Sequence, residues 1–380
     1  MLHRFPTSRP RTEIYAGSSL HLAVTRPFME AVKNQRRPRA KQKERSNSML
    51  KRPKILVVGS FMMDLIASAP KAPASGETVI GTDFRTAPGG KGANQAVQCA
   101  RLGAEVVMAG QVGDDAFGKE MLETAARAGV DVSHVQKDPD KSSGVGHILL
   151  EVTERGTQNR ITVVPGANYS TTVEQVAWLK DEIGRFDMVM LQLEIPMEVN
   201  VAVAKYAKAA GVPVMLNPAP AAALPEELLR CVTYLSPNEH EAAAIAGLPL
   251  RADESGVSKD DVEAVSAALR SRGVENVIIT LGENGSSAAG PGGIDYTPCV
   301  RMPQVKDPTA AGDSFVASFC TAYAAGLPRA QALAFAGHAA AITVSRMGAM
   351  PSLPTMEEVQ ALLREREYRE VDLAELDALR

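Results

Sequence analysis

Residues 92–110 read GANQAVQCARLGAEVVMAG, and they hold one full unit of the architecture. GANQAVQCARLG is a helix pattern closed by a glycine, and VVMAG (106–110) is a short, continuous apolar run. The alternation repeats on both sides. Further runs are ILVVG (55–59), MVMLQ (188–192), VPVMLN (212–217), VTYLSP (232–237) and NVIITLG (276–282). Between them lie the helix candidates DAFGKEMLETAARAG, EVNVAVAKYAKAAG and VEAVSAALRSRG. Strands that are apolar throughout, separated by helices, belong to a parallel sheet covered on both faces. The expected fold is therefore α/β and doubly wound, a mostly parallel sheet flanked by helices. Its ligands should sit beyond the carboxyl ends of the strands.

Two stretches break the rhythm. Residues 66–86 and 142–164 alternate with period two around glycine-containing turns, and no helix separates their strands. They are predicted to form a small antiparallel β lid, with lid segments about 66–92 and 142–166, an ordinary edge hairpin being the alternative that the pattern leaves open. The main domain is expected over 51–365, followed by an acidic, helical-looking tail over 366–380.

Composition narrows the class. No stretch approaches the roughly 18 apolar residues of a membrane helix. Cys99, Cys231, Cys299 and Cys320 include no C-x-x-C pair, which suits the reduced thiols of a cytoplasmic enzyme better than a disulfide framework or a zinc site. The net charge of −3 hides an asymmetry, because residues 1–54 carry 14 Lys/Arg against three acidic residues. The first 50 residues, with QRRPRAKQKER, read as a basic, disordered extension. A nucleic-acid arm, a targeting peptide and an inert segment ahead of Met49 are its three readings.

The glycine run GGKGAN (89–94) is not a P-loop, since Lys91 is followed by Gly92 rather than Ser or Thr. No G-x-G-x-x-G follows the first strand, so a Rossmann dehydrogenase is excluded. The strongest chemical signal is PQVKDPTAAGDSFVASFCTAYAAG (303–326). Tiny residues at Ala310, Ala311 and Gly312 precede a helix starting near Asp313, where free N–H groups could receive a phosphoryl group. Asp313 could be a plain N-cap, but a cap does not require three small residues before it. In the sharper reading it accepts the proton of an attacking hydroxyl.

GGKGANQA together with DPTAAGDSF resembles the two signatures of the PfkB carbohydrate kinase family. LQLEIP, LNPAPA, SPNE, TLGENG and SRMGAMPS, in that order, are similar to the ribokinase branch from about residue 53 to about residue 363. The resemblance implies ATP-dependent phosphorylation of the 5-hydroxyl of D-ribose, with Asp313 as base and the Ala310–Asp313 backbone as anion hole. It implies that Gly90, Lys91, Asn94, Asp64 and Glu194 hold the sugar. On the nucleotide side it implies Asn238, Thr280, Gly282, Gly285 and Gly312, with Glu241 organising Mg²⁺ through water. It further implies a monovalent cation such as K⁺ beside the anion hole, held at Asp307, Thr309, Thr343, Arg346, Gly348 and Ser352. Dimerisation through the lids is expected of the family.

Three positions depart from the branch. Pro308 stands where many relatives have Thr. Gly337, beside His338, stands where an Asn lies near adenine. Met62 replaces an Asn that hydrogen-bonds the sugar, and a thioether cannot donate and accept as an amide does. Met62 is either core filling or an apolar patch that favours 2-deoxy-D-ribose, so a deoxyribose kinase remains the alternative. A nucleoside kinase fits less well, because aromatic residues for stacking are only 4% of the chain. A non-catalytic sugar or nucleic-acid binder is the rival from another class, and retention of Asp313 and Asp307 argues against it.

Overall fold

The run KILVV becomes β1 (Lys54–Val58), and its burial explains why it reads as apolar throughout. Ile55 and Val57 enter one hydrophobic core, Leu56 and Val58 the other. The computed structural model describes residues 50–153, 156–253, 256–369 and 371–379. The expectation for the basic extension lies outside the described residues.

After β1 come β2 (Met62–Ala69), β3 (Asp83–Gly89), α1 (Lys91–Arg101), β4 (Glu105–Gly113), α2 (Ala116–Arg127) and β5 (Val130–Asp138). The chain continues through β6 (Gly144–Thr153), β7 (Gly156–Val164), α3 (Leu179–Glu182), β8 (Met188–Gln192), α4 (Met197–Ala210) and β9 (Val214–Asn217). Next are α5 (Glu226–Leu229), β10 (Tyr234–Leu235), α6 (Glu239–Ala246), β11 (Ala252–Asp253), β12 (Gly256–Val257) and α7 (Lys259–Ser271). Last are β13 (Asn276–Thr280), β14 (Ser286–Gly290), β15 (Gly293–Thr297), α8 (Ala311–Ala325), α9 (Arg329–Val344), α10 (Met356–Glu365) and α11 (Leu373–Leu376).

The main sheet has the order β15-β14-β13-β10-β9-β8-β1-β4-β5. The strands from β13 to β5 pair in parallel, and the β14–β15 hairpin adds an antiparallel edge. One core lies between the sheet and α1, α2, α8, α9 and α10, and the other lies beneath α3, α4, α5 and α7. This is the doubly wound arrangement the alternation implied. Strand order reverses at β1, with β4 on one side and β8 on the other, and such a switch point opens a crevice at the strand ends.

The second sheet runs β3-β2-β6-β7. Its two hairpins are antiparallel as expected, and a parallel pairing of β2 with β6 joins them. It begins earlier than the pattern suggested, at Met62 rather than near residue 66. The register aligns Met62 with both Gly89 and Gly144, so Met62 and Asp64 belong to the lid strand itself.

The tail is tied down. Val371, Leu376 and Leu379 are buried in the core that holds α1 and α8. Gln360 donates from Nε2 to Asp377 Oδ1 at 3.1 Å, and Tyr368 meets the His338 ring edge-on at 5.1 Å. No described helix is long and apolar enough to cross a membrane.

Candidate active site

The polar residues of the crevice come from successive strand ends: Ser60 after β1, Gln192 and Glu194 at β8, Asn217 at β9, Ser236 and Asn238 after β10, and Thr280 closing β13. Ser60 and Gln192 are fully buried, and the others border two cavities. One, of about 890 Å³, lies under the lid and includes Met62, Asp64, Asn94, Glu194 and Asp307 in its wall. The other, of about 190 Å³, is walled by Asn217, Ser236, Asn238, Glu241, Thr280 and Gly312. Lys91, Ala310 and Asp313 line both.

The start of α8 is the joint between the cavities. Its N-cap is Ala310, held at φ 62° in the left-handed region with no side chain capping the helix. An L-residue there is strained by roughly 1–2 kcal/mol, which suits a functional loop. The amide of Ala311 donates to Pro308 O at 3.2 Å and that of Ser314 to Ala310 O at 2.8 Å. The amides of Gly312 and Asp313 have no main-chain acceptor among the described residues. The expected anion hole thus narrows to those two N–H groups, because Ala311 spends its own within the loop.

Asp313 is not the cap. It sits in the first helical turn, 7% exposed, and accepts from Asn94 Nδ2 at 2.9 Å and from Gln95 Nε2 at 3.0 Å. Burial pushes its pKa above the usual carboxylate value, against the pull of the Lys91 ammonium and the two amides. A carboxylate in that state seeks a proton.

In the larger cavity, burial raises the Asp64 carboxyl to a pKa of about 6, with Glu194 and Asp307 adding to the rise and Lys91 opposing it. A Cβ on Gly146 would stand 2.5 Å from Asp64 Oδ1, so that glycine is the room in which Asp64 turns. Glu194 Oε2 accepts from the Ser60 hydroxyl at 2.5 Å and from the Lys91 amide at 3.0 Å, which seats it at the positive end of α1. The glycines of GGKGAN also serve packing, and Gly90 lines the larger cavity as well. A Cβ on Gly90 would lie 2.7 Å from Met62 N, and one on Gly92 2.5 Å from Ser60 N, so both let α1 abut the β1–β2 connection. Gly90 also needs its φ of 94°. Met62 is buried, yet borders the cavity, and its sulfur lies 3.7 Å from Asn168 Nδ2.

In the smaller cavity, Asn238 caps α6 in a reciprocal box with Glu241: Glu241 N donates to Asn238 Oδ1 at 2.8 Å and Asn238 N to Glu241 Oε2 at 2.9 Å. The capping reading of Asn238 therefore holds alongside its place in the wall. Burial raises the Glu241 pKa, opposed by its bond from Asn238 and by Lys91. For Lys91, burial pulls downward, but Asp313, Glu194, Glu241 and Asp64 outweigh it and hold the ammonium above its ordinary value. Thr280 joins this wall, whereas Gly282 and Gly285 do not. A Cβ on Gly285 would meet Cys299 N at 2.7 Å, which ties that glycine to the packing of its own turn. Gly337 lies on α9 away from both cavities, and His338 is buried with Nδ1 2.8 Å from Ala334 O, a structural role.

A family model described as pfkB family carbohydrate kinase matches residues 52–356. The chain belongs to that family. It is a sugar kinase, transferring phosphate to an alcohol group. The kinase is 40% identical over 312 residues to a ribokinase of Schizosaccharomyces pombe, covering 80% of this chain and 96% of that protein. It is 31% identical to a deoxyribokinase of Salmonella typhi, over 81% of this chain and 98% of the other. Among solved structures it is similar to Arabidopsis thaliana ribokinase complexed with ribose and ATP, with a TM-score of 0.75, 33% identity, and coverage of 82% and 99%.

Of the residues expected around a cation, Asp307, Thr309 and Gly348 line the kinase's larger cavity, and Thr343, Arg346 and Ser352 do not. Asp307 joins two loops, with Oδ1 accepting from Thr309 N and Oδ2 from Gly348 N, each at 2.9 Å. Although burial raises its pKa, these bonds hold it below the usual value. The Thr343 hydroxyl donates to Ser314 Oγ at 2.9 Å, the Ser352 hydroxyl to Ala349 O at 2.6 Å, and the Arg346 guanidinium is paired with Glu358. At those three positions the side chains are already engaged. The set left for an ion is an ionised carboxylate plus carbonyls, which suits a hard cation. Among the described residues no three His, Cys, Asp or Glu cluster as metal ligands.

Sequence reasoning missed Gln95, Gln192, Asn217, Ser236 and Ser60. Gln95, Gln192, Asn217 and Ser236 stand inside quoted motifs and Ser60 directly follows one, but nothing in their spacing says which distant side chains they meet.

Proposed function

We propose that the kinase transfers the γ-phosphoryl group of ATP to the 5-hydroxyl of D-ribose. The observation that carries this reading is Asp313, a buried proton-seeking carboxylate beside two uncapped amides, standing where the larger cavity meets the smaller one. The sugar lies under the lid against Asp64, Asn94 and Glu194, and the triphosphate runs toward Lys91, Asn238 and Thr280. Asp313 takes the hydroxyl proton as the new O–P bond forms. The bond from phosphorus to the β–γ bridging oxygen breaks, and its electron pair leaves with ADP. The amides of Gly312 and Asp313 face the charge that develops on the transferring group.

Glu241, with one carboxylate oxygen outside its capping bond, and Asn217 are the residues that would hold Mg²⁺ through its waters, and the ion would neutralise phosphate charge. Asp307 with the carbonyls of Thr309, Thr343, Arg346, Gly348 and Ser352 would hold K⁺, which would order the Ala310–Asp313 loop. The exposed apolar side chains Phe84 and Val164 of the lid, which line neither cavity, support pairing with a second copy. A cytoplasmic location agrees with the free cysteines.

Met62 keeps 2-deoxy-D-ribose as the second reading, because a thioether borders the cavity where a hydroxyl would want a partner. The test is kcat/KM for D-ribose and 2-deoxy-D-ribose side by side with ATP, Mg²⁺ and K⁺. An advantage for ribose of at least about tenfold, rising toward the roughly 10⁴-fold of a site with a dedicated partner, supports the proposal. Equal or better turnover of deoxyribose moves the assignment to the second reading. No turnover of either overturns both.

A further inference from the structure

Gln95 touches neither cavity, yet it holds the carboxylate between them. Its Nε2 donates to Asp313 Oδ1 at 3.0 Å and to Asn217 Oδ1 at 3.2 Å, which uses both amide hydrogens. Its Oε1 accepts from Gln192 Nε2 at 2.6 Å. Gln95 and Gln192 are both fully buried. A primary amide has two orientations, and only the one with nitrogen toward Asp313 helps a carboxylate. Gln192 selects that orientation, because a flipped Gln95 would oppose one NH₂ group to another. Asn200 Nδ2 donates to the Gln192 main-chain carbonyl at 2.8 Å, which holds that backbone, while Gln192 Oε1 is buried with no hydrogen-bond partner among the described residues. A methyl group on Gly59 would overlap Gln192 Oε1, so the glycine that ends ILVVG makes room for the second amide.

We infer that Gln192 and Gln95 form a buried amide relay that positions Asp313 and keeps it ionised for proton abstraction. The inference rests on the reading of Asp313 as the base. The relay acts on the carboxylate's aim and charge, leaving sugar and nucleotide contacts to other residues. Asp313 is also faced by Lys91 and Asn94 from α1, by Glu194 beyond β8 and by Glu241 from α6. Lys91 and the two amide donors favour its ionised form and the two glutamates oppose it. Loss of one donor therefore shifts the balance toward the protonated, inactive acid.

The test compares wild type with Gln95→Met, Gln192→Met, the double variant and Asp313→Asn in steady-state kinetics across pH. Gln95→Met is expected to lower kcat by about ten- to a hundredfold, the scale of one hydrogen bond to a buried charge. The KM for sugar and for ATP should stay within about twofold, and the acid limb of kcat should move to higher pH. Gln192→Met should move the limb the same way by less, and the double variant should be no worse than Gln95→Met, as for residues acting in series. Unchanged kcat and limb in both single variants would overturn the relay, as would a fall in kcat with an unmoved limb. If Gln95→Met does not fold, the limb of Gln192→Met decides alone. An active Asp313→Asn would overturn the base reading itself, while an inactive one beside a wild-type Gln95→Met would remove only the relay.

Discussion

Burial beside Glu194 and Asp307 lifts the Asp64 carboxyl from its ordinary 3.8 to about 6, and that has two consequences. The first concerns binding. An ionised carboxylate accepts from sugar hydroxyls, so kcat/KM for the sugar should fall as pH drops through about 6, and Asp64→Asn should flatten that limb while raising the sugar KM at least about tenfold. The second concerns stability. The folded state holds the proton over a range where the unfolded chain has lost it. The contribution is therefore full below 3.8 and lost as pH rises through about 6. At pH 7 the ionised group costs roughly 1–3 kcal/mol. Sugar-free Asp64→Asn should be more stable than wild type to urea at pH 7, with the gap narrowing below about pH 6 and closing near pH 4. A constant gap would mean that burial of charge is not its source. Gly146→Ala should damage the sugar KM and spare the ATP KM, since its new Cβ meets only Asp64 within 4 Å.

Among elements, the lid has the clearest consequence. Phe84 and Val164 are 64% and 49% exposed on a sheet that also walls the larger cavity, and neither lines that cavity itself. If two lids pair, Phe84→Glu combined with Val164→Asp should give a monomer in analytical ultracentrifugation and a raised sugar KM with little change in melting temperature. A dimer that survives both charges would place the interface elsewhere. The element scale also shows what the sequence made legible. The parallel strands were readable because both faces are buried and four successive residues are apolar, as in ILVV of β1 and MVML of β8. β14, SSAAG, was not, because it is fully buried without one β-branched or aromatic side chain. β5 alternates weakly at the sheet edge, with Asp131 and Gln136 exposed. The site divides the same way. Asp313, Asp64 and Lys91 stand in motifs, whereas Gln95 acts across 218 positions through the contact of α1 with α8, which no local pattern encodes.

At the scale of the whole molecule, the tail is part of the core on the α8 side of the sheet. Val371, Leu376 and Leu379 are each 3% exposed or less. Removing residues 366–380 exposes their partners, and at about 1.5–3 kcal/mol for each buried aliphatic side chain the loss should exceed about 3 kcal/mol. Urea unfolding of the truncated chain checks this, and kcat should survive, because no tail residue borders either cavity. The broader design is a division of labour. Strand ends at the switch point supply fixed polar groups, the lid supplies Asp64 and a cover, and the start of α8 lies where the two cavities meet.

The most direct test of the central claim is phosphorus and carbon NMR of the product formed from D-ribose and ATP by wild type and by Asp313→Asn. The account predicts ribose 5-phosphate and ADP in equal amounts from wild type, and a rate at least about a thousandfold lower from Asp313→Asn. Phosphate on another carbon, free phosphate in place of a sugar phosphate, or an Asp313→Asn enzyme near the wild-type rate would contradict it.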